Sequence, residues 1–428
     1  LLRESFVWQY GDYWFPEVRS LGGAICMLAL VLYPYVYLLS RAAFIEQSLC
    51  VLEVSRSLGC GPYRSFFTVA LPLARPAIIA GLSLVMMETL ADYGTVQYFG
   101  VATFTTGIFR TWFGLGSSVA AAQLAVVLLM FILLAVVLEA WSRRQARYHH
   151  TSNRYSKLIQ RPLHGWSMLL AMGICFFPVV FGFVVPAAQL SVWALQTWRE
   201  VIDESFYALV GHSIELAAIA SAVALILSLF ITYGKRLLSN PVTRFIVRFL
   251  SMGYAIPGTV IAIGVLIPLA WLDNSIDSWM RTNMDLSTGL LFSGTIFALV
   301  FAYLVRFLPV SLNTIEAGLT KIRPAMDEVG RSLGSSSTHT LRRVHIPMLK
   351  GSILTAALLV FVDVLKELPA TLILRPFNFN TLAIRCYELA NEERLADAAN
   401  PALAIVLVGI IPVIILSRSI SRSRPGYD

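Results

Sequence analysis

The sequence predicts an all-α, polytopic membrane protein built from two parallel repeats. Three observations carry this: an apolar composition with few charges, a series of long apolar stretches, and one polar segment that occurs twice. Apolar residues make up 57% of the 428-residue chain and charged residues only 14%, against roughly a quarter in ordinary soluble domains. The net charge of +8 does not point to nucleic acid, because Lys and Arg sit in short loops between apolar runs rather than on one basic, aromatic-interleaved face. Cys26, Cys50, Cys60, Cys175 and Cys386 show no CxxC or regular spacing and imply neither zinc nor a disulfide framework.

Crossing the hydrocarbon takes about 20 mainly apolar residues. Nine stretches qualify: 21–39, 77–99, 119–141, 167–186, 208–233, 245–271, 289–309, 352–374 and 401–417. Three precede a basic segment and six follow it. The expected organisation is therefore a first repeat at 1–141, a cytoplasmic linker at 142–165 and a second repeat at 166–428, the first repeat reading as if its three amino-terminal helices were missing.

Orientation follows from the excess of Lys and Arg in cytoplasmic loops. Arg143, Arg144, Arg147, Arg154, Lys157 and Arg161 crowd the linker, and the loops and tail on the same side hold Lys235, Arg236, Arg244, Lys321, Arg323, Arg331, Arg342, Arg343, Lys350, Arg418, Arg422 and Arg424. The opposite loops are acidic, with Glu200, Asp203, Asp273, Asp277, Glu388, Glu392 and Asp397. Trp8, Trp14, Trp193, Trp198, Trp271 and Trp279 read as interface anchors.

The duplicated segment runs from Glu53 and again from Glu328. Across 53–72 and 328–347 the pairs Glu53/Glu328, Val54/Val329, Arg56/Arg331, Ser57/Ser332, Leu58/Leu333, Gly59/Gly334, Val69/Val344 and Pro72/Pro347 are identical at a constant offset of 275. Chance would give roughly one match. Phe104/Phe379, Thr106/Thr381 and Arg110/Arg385 extend the register. Both copies are entered from the same side, so the repeats are parallel. Within each, Val51, Val54 and Leu58, or Met326, Val329 and Leu333, form a helical apolar stripe. Gly59 or Gly334 then stops the helix, and a second short helix leads to Pro72 or Pro347. Two short helices at a bend, each with an apolar stripe, suit a groove on a soluble partner.

"EVSRSLG" with "VALPLARP", and "EVGRSLG" with "VHIPM", resemble the EAA loop of bacterial ABC importer permeases of the MetI-like transmembrane fold. Val54, Ser55, Val329 and Gly330 stand where that family has alanine-rich positions. The resemblance implies that Glu53, Arg56, Gly59, Pro72, Glu328, Arg331, Gly334 and Pro347 belong to loops that dock on a separate ABC ATPase subunit, present in two copies. It also implies a periplasmic solute-binding protein as partner and a site in the bacterial inner membrane. "METLADYGTVQYFGVATFTTGIFRTWF" and "VDVLKELPATLILRPFNFNTLAIRCYELA" are similar to segments of fused iron(III) permeases. That likeness implies ferric iron as substrate; thiamine or phosphonate permeases share the fused architecture.

The offset also carries Glu88 and Asp92, one helical turn apart in the second stretch, onto Asp363 and Glu367 in the eighth. Charges at bilayer depth cost about 3 kcal/mol or more and usually face an aqueous path or a bundle interior. All four are candidate pathway groups, and carboxylate oxygens suit a hard cation. Pairing of Lys366 with Asp363 or Glu367 is the structural alternative. Arg110 and Arg385, in the external loops, are candidates for docking the binding protein. No GxxxxGK[ST] occurs in the sequence, so the chain is not expected to be an enzyme or to bind a cofactor; ATP and magnesium belong to the partner subunit. A secondary transporter would also explain repeats and buried acids, but gives no reason for two glycine-broken cytoplasmic segments.

Overall fold

The computed structural model describes residues 17–47, 54–55, 57–144, 163–238 and 240–422. No strand occurs among the described residues. In chain order the helices begin with α1 (Leu21–Glu46), α2 (Pro62–Ser65), α3 (Leu71–Ala91), α4 (Gly94–Tyr98), α5 (Phe104–Phe109) and α6 (Ser118–Arg144). After the linker come α7 (Trp166–Val179), which passes through a widened turn into α8 (Val185–Val201), then α9 (Glu204–Leu237), α10 (Pro241–Leu250), α11 (Gly258–Met284) and α12 (Ile296–Leu319). The last group is α13 (Ala325–Ser332), α14 (Ser337–Thr340), α15 (Ile346–Met348), α16 (Lys350–Leu365), α17 (Pro369–Leu374), α18 (Leu382–Asn391) and α19 (Leu395–Arg422).

Seven described helical segments are long and apolar enough to cross a bilayer. The eighth apolar stretch, 352–374, covers α16 and α17; α16 reaches spanning length only together with the preceding Ser337–Met348, from which it is bent by 78°. The ninth, 401–417, lies within α19. Several boundaries differ from the sequence expectation, each for a local reason. The second span stops at Ala91, because Asp92 is extended (φ −66°, ψ 136°) and its side chain turns forward to hold the next short helix. The eighth stops at Leu365, ahead of Pro369. The sixth begins at Gly258 rather than 245: Pro257 biases the residue before it away from helix, and Ile256 is extended. The seventh runs over 296–319 rather than 289–309, because residues 291–293 are drawn onto the Asp273 carboxylate, which accepts the Leu291, Phe292 and Ser293 N–H groups.

Small residues set the packing. Ala217, Ala220, Ala224, Ala298, Ala302 and Ala356 are buried where α9, α12 and α16 meet. Lipid tails give no hydrophobic drive between helices, so close approach and interhelical hydrogen bonds must supply it. Ser221 Oγ donates to the Ala357 carbonyl at 2.7 Å. In the first repeat Gly81 lets α3 lie against α1; a Cβ there would meet Val36 Cα at 2.7 Å. Tyr303, Phe307 and Leu308 complete the second repeat's core.

Candidate coupling loops and interhelical pathway

The described parts of the two glycine-broken segments adopt one geometry twice. Pro62–Ser65 and Ser337–Thr340 are helical turns at the 275 offset, and the widened turns Phe66–Ala70 and Leu341–His345 follow at the same offset. Gly59 has φ +80° and Gly334 φ +74°, left-handed values that residues with a Cβ rarely adopt. Beyond each glycine the next N–H closes a helix cap: Cys60 donates to the Ser55 carbonyl at 3.1 Å and Ser335 to the Gly330 carbonyl at 2.9 Å. Ser55 Oγ donates to Ser65 Oγ at 3.0 Å, and in the second copy Gly330 sits against Thr340.

The described residues of the apolar stripe face outward in both copies; Val51 lies outside the described residues. Val54 and Val329 are 57% and 58% exposed, Leu58 and Leu333 77% and 78%. Met326, Val329, Leu333 and Val344 line an open groove of about 540 Å³. Glu328 and Arg331 are exposed on α13. Pro72 and Pro347 stand in the first turns of α3 and α15, where a missing N–H is harmless. Glu53 and Arg56 lie outside the described residues.

Behind the second copy is an ionic network that the sequence reading missed. Arg236, at the end of α9, donates to Asp327 Oδ2 at 2.7 Å and to the Leu319 and Ile322 carbonyls at 2.7 and 3.0 Å. His345 Nε2 sits 2.9 Å from Asp327 Oδ1, in ion-pair range but off the line of a good hydrogen bond. Tyr233 packs its ring on His345 and donates to the Ser337 carbonyl at 2.8 Å. The repeat offset could not reveal it, because Leu52 and Ala70 occupy the positions equivalent to Asp327 and His345. There Gln47 donates to the Ala70 carbonyl at 2.7 Å instead.

The four interior carboxylates separate into two kinds. Asp92 lies past the end of α3, not within it, and accepts from the Val96 N–H and Thr95 hydroxyl at 3.0 Å each. Glu367 accepts from the Ala370 N–H and from buried Arg306, also at 3.0 Å each. Both thus hold the short helix that follows, α4 or α17. Among the described residues Glu88 accepts from a tyrosine hydroxyl alone, that of Tyr254 after the linker, at 2.8 Å. Asp363 pairs with Lys366 at 2.9 Å, and Tyr35 lies within electrostatic reach of Glu88, Asp363 and Lys366. One helical turn towards the outside, the Tyr93 and Tyr387 hydroxyls meet at 2.8 Å between the repeats, and Leu368 packs on Gly94.

In the external loops the expected register slips. Thr103 is the amino-terminal cap of α5 with Thr106 in its first turn, whereas Thr381 is itself the cap of α18. The Thr106/Thr381 identity therefore does not mark equivalent positions. Arg110 is exposed and lines a polar pocket of about 510 Å³ with Gln97, Thr103 and Thr106. Arg385 lies 3.9 Å from Glu388, which Arg375 also approaches at 3.3 Å.

Many apolar helices and two matching glycine-broken bends define a multi-pass membrane protein, and its family makes it a transport permease. The chain belongs to the binding-protein-dependent transport system inner membrane component family, whose profile matches residues 13–148 and 220–425. It is a multi-pass protein of the inner membrane. Among its relatives, the Fe(3+)-transport system permease protein FbpB 2 of Haemophilus influenzae is 26% identical over 94% of this chain and 77% of its own length. A Salmonella typhimurium permease protein, PhnV, named for 2-aminoethylphosphonate transport, is 24% identical over 58% of this chain and 92% of its own. A bacterial ABC transporter involved in alginate import has a chain with 14% identity and a TM-score of 0.48, covering 60% of this chain and 95% of its own.

Proposed function

We propose that this chain is the permease of an ATP-driven importer and that its cargo is ferric iron handed over by a periplasmic binding protein. The observation that carries the importer reading is the pair of cytoplasmic knobs, alike in their left-handed glycines and the turns that follow, and in the exposure of Val54/Val329 and Leu58/Leu333. An exposed apolar face on a charged cytoplasmic bend calls for a protein partner. Two equal faces call for two copies of an ATPase subunit, and a separate ATPase supplies the energy for which the sequence has no phosphate-cradling loop.

The iron reading rests on the ferric relative aligning across both repeats, whereas the phosphonate relative aligns over little more than half of the chain. Chemistry supports it too. Ferric iron is a hard cation, and the interhelical seam offers the Glu88 and Asp363 carboxylates with the Tyr35 and Tyr254 hydroxyls, all oxygen donors. We assign Glu88 and Asp363 to the pathway, and Asp92 and Glu367 to holding α4 and α17. The Tyr93–Tyr387 contact closes the seam towards the outside. ATP-driven approach of the two knobs would part that contact; the motor shifts the equilibrium by binding one state better than the other.

The test is uptake of radiolabelled iron(III) into proteoliposomes holding the chain and its ATPase, with loaded binding protein outside. Uptake requiring all three parts and ATP supports the proposal. Hydrolysis stimulated by the binding protein without iron entry would move the substrate to another class, such as a phosphonate.

A further inference from the structure

We propose that the Arg236–Asp327 ion pair, with buried His345 packed beside Asp327, forms a latch that fixes the second coupling loop to the membrane helices, and that the first loop cannot form the same latch because Leu52 and Ala70 stand at the positions of Asp327 and His345, so that the two ATPase seats are mechanically unequal. The inference rests on the coupling role proposed above for these loops. Asp327 stands on α13, on the face opposite the exposed Val329 and Leu333. Its partners come from two other elements. Arg236 belongs to α9 and, through its bonds to the Leu319 and Ile322 carbonyls, also grips the end of α12. His345, fully buried, belongs to the turn that leads into α16. The Asp327 carboxylate thus ties the docking helix to α9 and, through Arg236, to the end of α12, two helices of the second repeat's core, with His345 packed beside it on the way to α16.

A displacement of α13 by a bound subunit would pass into those helices through the latch rather than being absorbed by the loop. Charge-assisted hydrogen bonds are about twice as strong as neutral ones. In the first repeat the equivalent sites, Leu52 and Ala70, carry no charge. Among the described residues Gln47 bonds to the Ala70 backbone, and Ser55 bonds to Ser65. These three latch residues act on docking by positioning α13; none of them lies on its exposed apolar stripe.

The experiment is a double-mutant cycle on the affinity of the purified full chain for its ATPase subunit. Asp327→Asn and Arg236→Gln are each expected to weaken binding about tenfold, and the double variant no more than either single, as for members of one network. Arg236→Lys, which keeps the charge beside Asp327, is expected to recover affinity to within about threefold of the parent chain. Gln47→Leu in the first repeat is expected to change affinity less than about threefold. Single effects that multiply in the double variant, no recovery with Arg236→Lys, or equal losses from both repeats would overturn the latch. If Asp327→Asn does not accumulate, His345→Gln and Arg236→Gln complete the same cycle. Binding is read without iron, so failed iron uptake by an assembly that still binds and hydrolyses ATP removes the substrate reading and leaves the latch standing.

Discussion

Arg306 and Glu367 face each other at 3.0 Å inside the second repeat, both almost wholly shielded from solvent. The same Glu367 oxygen takes the Ala370 N–H, so one carboxylate anchors both α12 and the start of α17. In the first repeat Val31 occupies the position of Arg306, and Asp92 holds its helix without a charged partner among the described residues. Removing one partner of a buried pair strands the other charge, at about 3–5 kcal/mol. Glu367→Leu should therefore destabilise the detergent-purified chain strongly in a thermal unfolding experiment. Arg306→Met with Glu367→Leu should cost less than the single change.

Gly258 is where α11 passes over this pair. A Cβ there would stand 2.3 Å from Arg306 Nη1 and 2.4 Å from Glu367 Oε1. Gly258→Ala should cost about 1–3 kcal/mol through overpacking. Gly264 lies on the same helix with nothing within 4 Å of its Cβ position. Gly264→Ala should be neutral or slightly stabilising in the same unfolding assay, because alanine is the better helix former.

Gly334 isolates a backbone effect, since nothing lies within 4 Å of its Cβ position and only its φ of +74° is demanding. Gly334→Val should leave membrane insertion intact while lowering uptake per ATP hydrolysed several-fold, by misdirecting α13. Gly334→Asn should be milder, since asparagine visits left-handed backbone far more readily than a β-branched residue. Retained ATP-driven uptake in the valine variant would count against a coupling role.

Glu88 and Asp363 should separate from Asp92 by phenotype. Glu88→Gln combined with Asp363→Asn should lower iron uptake about tenfold or more at limiting substrate, with the melting temperature unchanged. Asp92→Ala should instead cost about 0.5–2 kcal/mol of stability, the usual loss of a helix cap. Unchanged uptake in the first variant would reduce those carboxylates to packing partners.

Much of this was legible in the sequence, for reasons that are local. Each of the nine apolar stretches overlaps a helix, because apolar length alone decides what can lie in lipid. The duplicated glycine and proline fixed the knobs, because a left-handed cap and a missing N–H are chain properties that need no neighbour. The pairing of Lys366 with Asp363 was foreseeable from their i, i+3 spacing. The partners Arg306 for Glu367 and Tyr254 for Glu88 were not, since they arrive from 61 and 166 residues away. Asp92 was placed inside its span because its polar partners, Thr95 and the Val96 N–H, lie within an apolar run that reads as continuous helix. The Arg236–Asp327–His345 network escaped because it exists in one repeat only.

The central claim is that each knob seats one ATPase subunit, and site-directed cross-linking addresses it most directly. In a chain whose five native cysteines are replaced, Leu58→Cys and Leu333→Cys would be tested separately, each assembled with the ATPase subunit and treated with a short cross-linker that joins the engineered thiol to a lysine amine of the partner. The account predicts a permease–ATPase product from both positions, because both side chains stand on the exposed docking face. A product from neither position, or from only one of them, would contradict the two-seat arrangement.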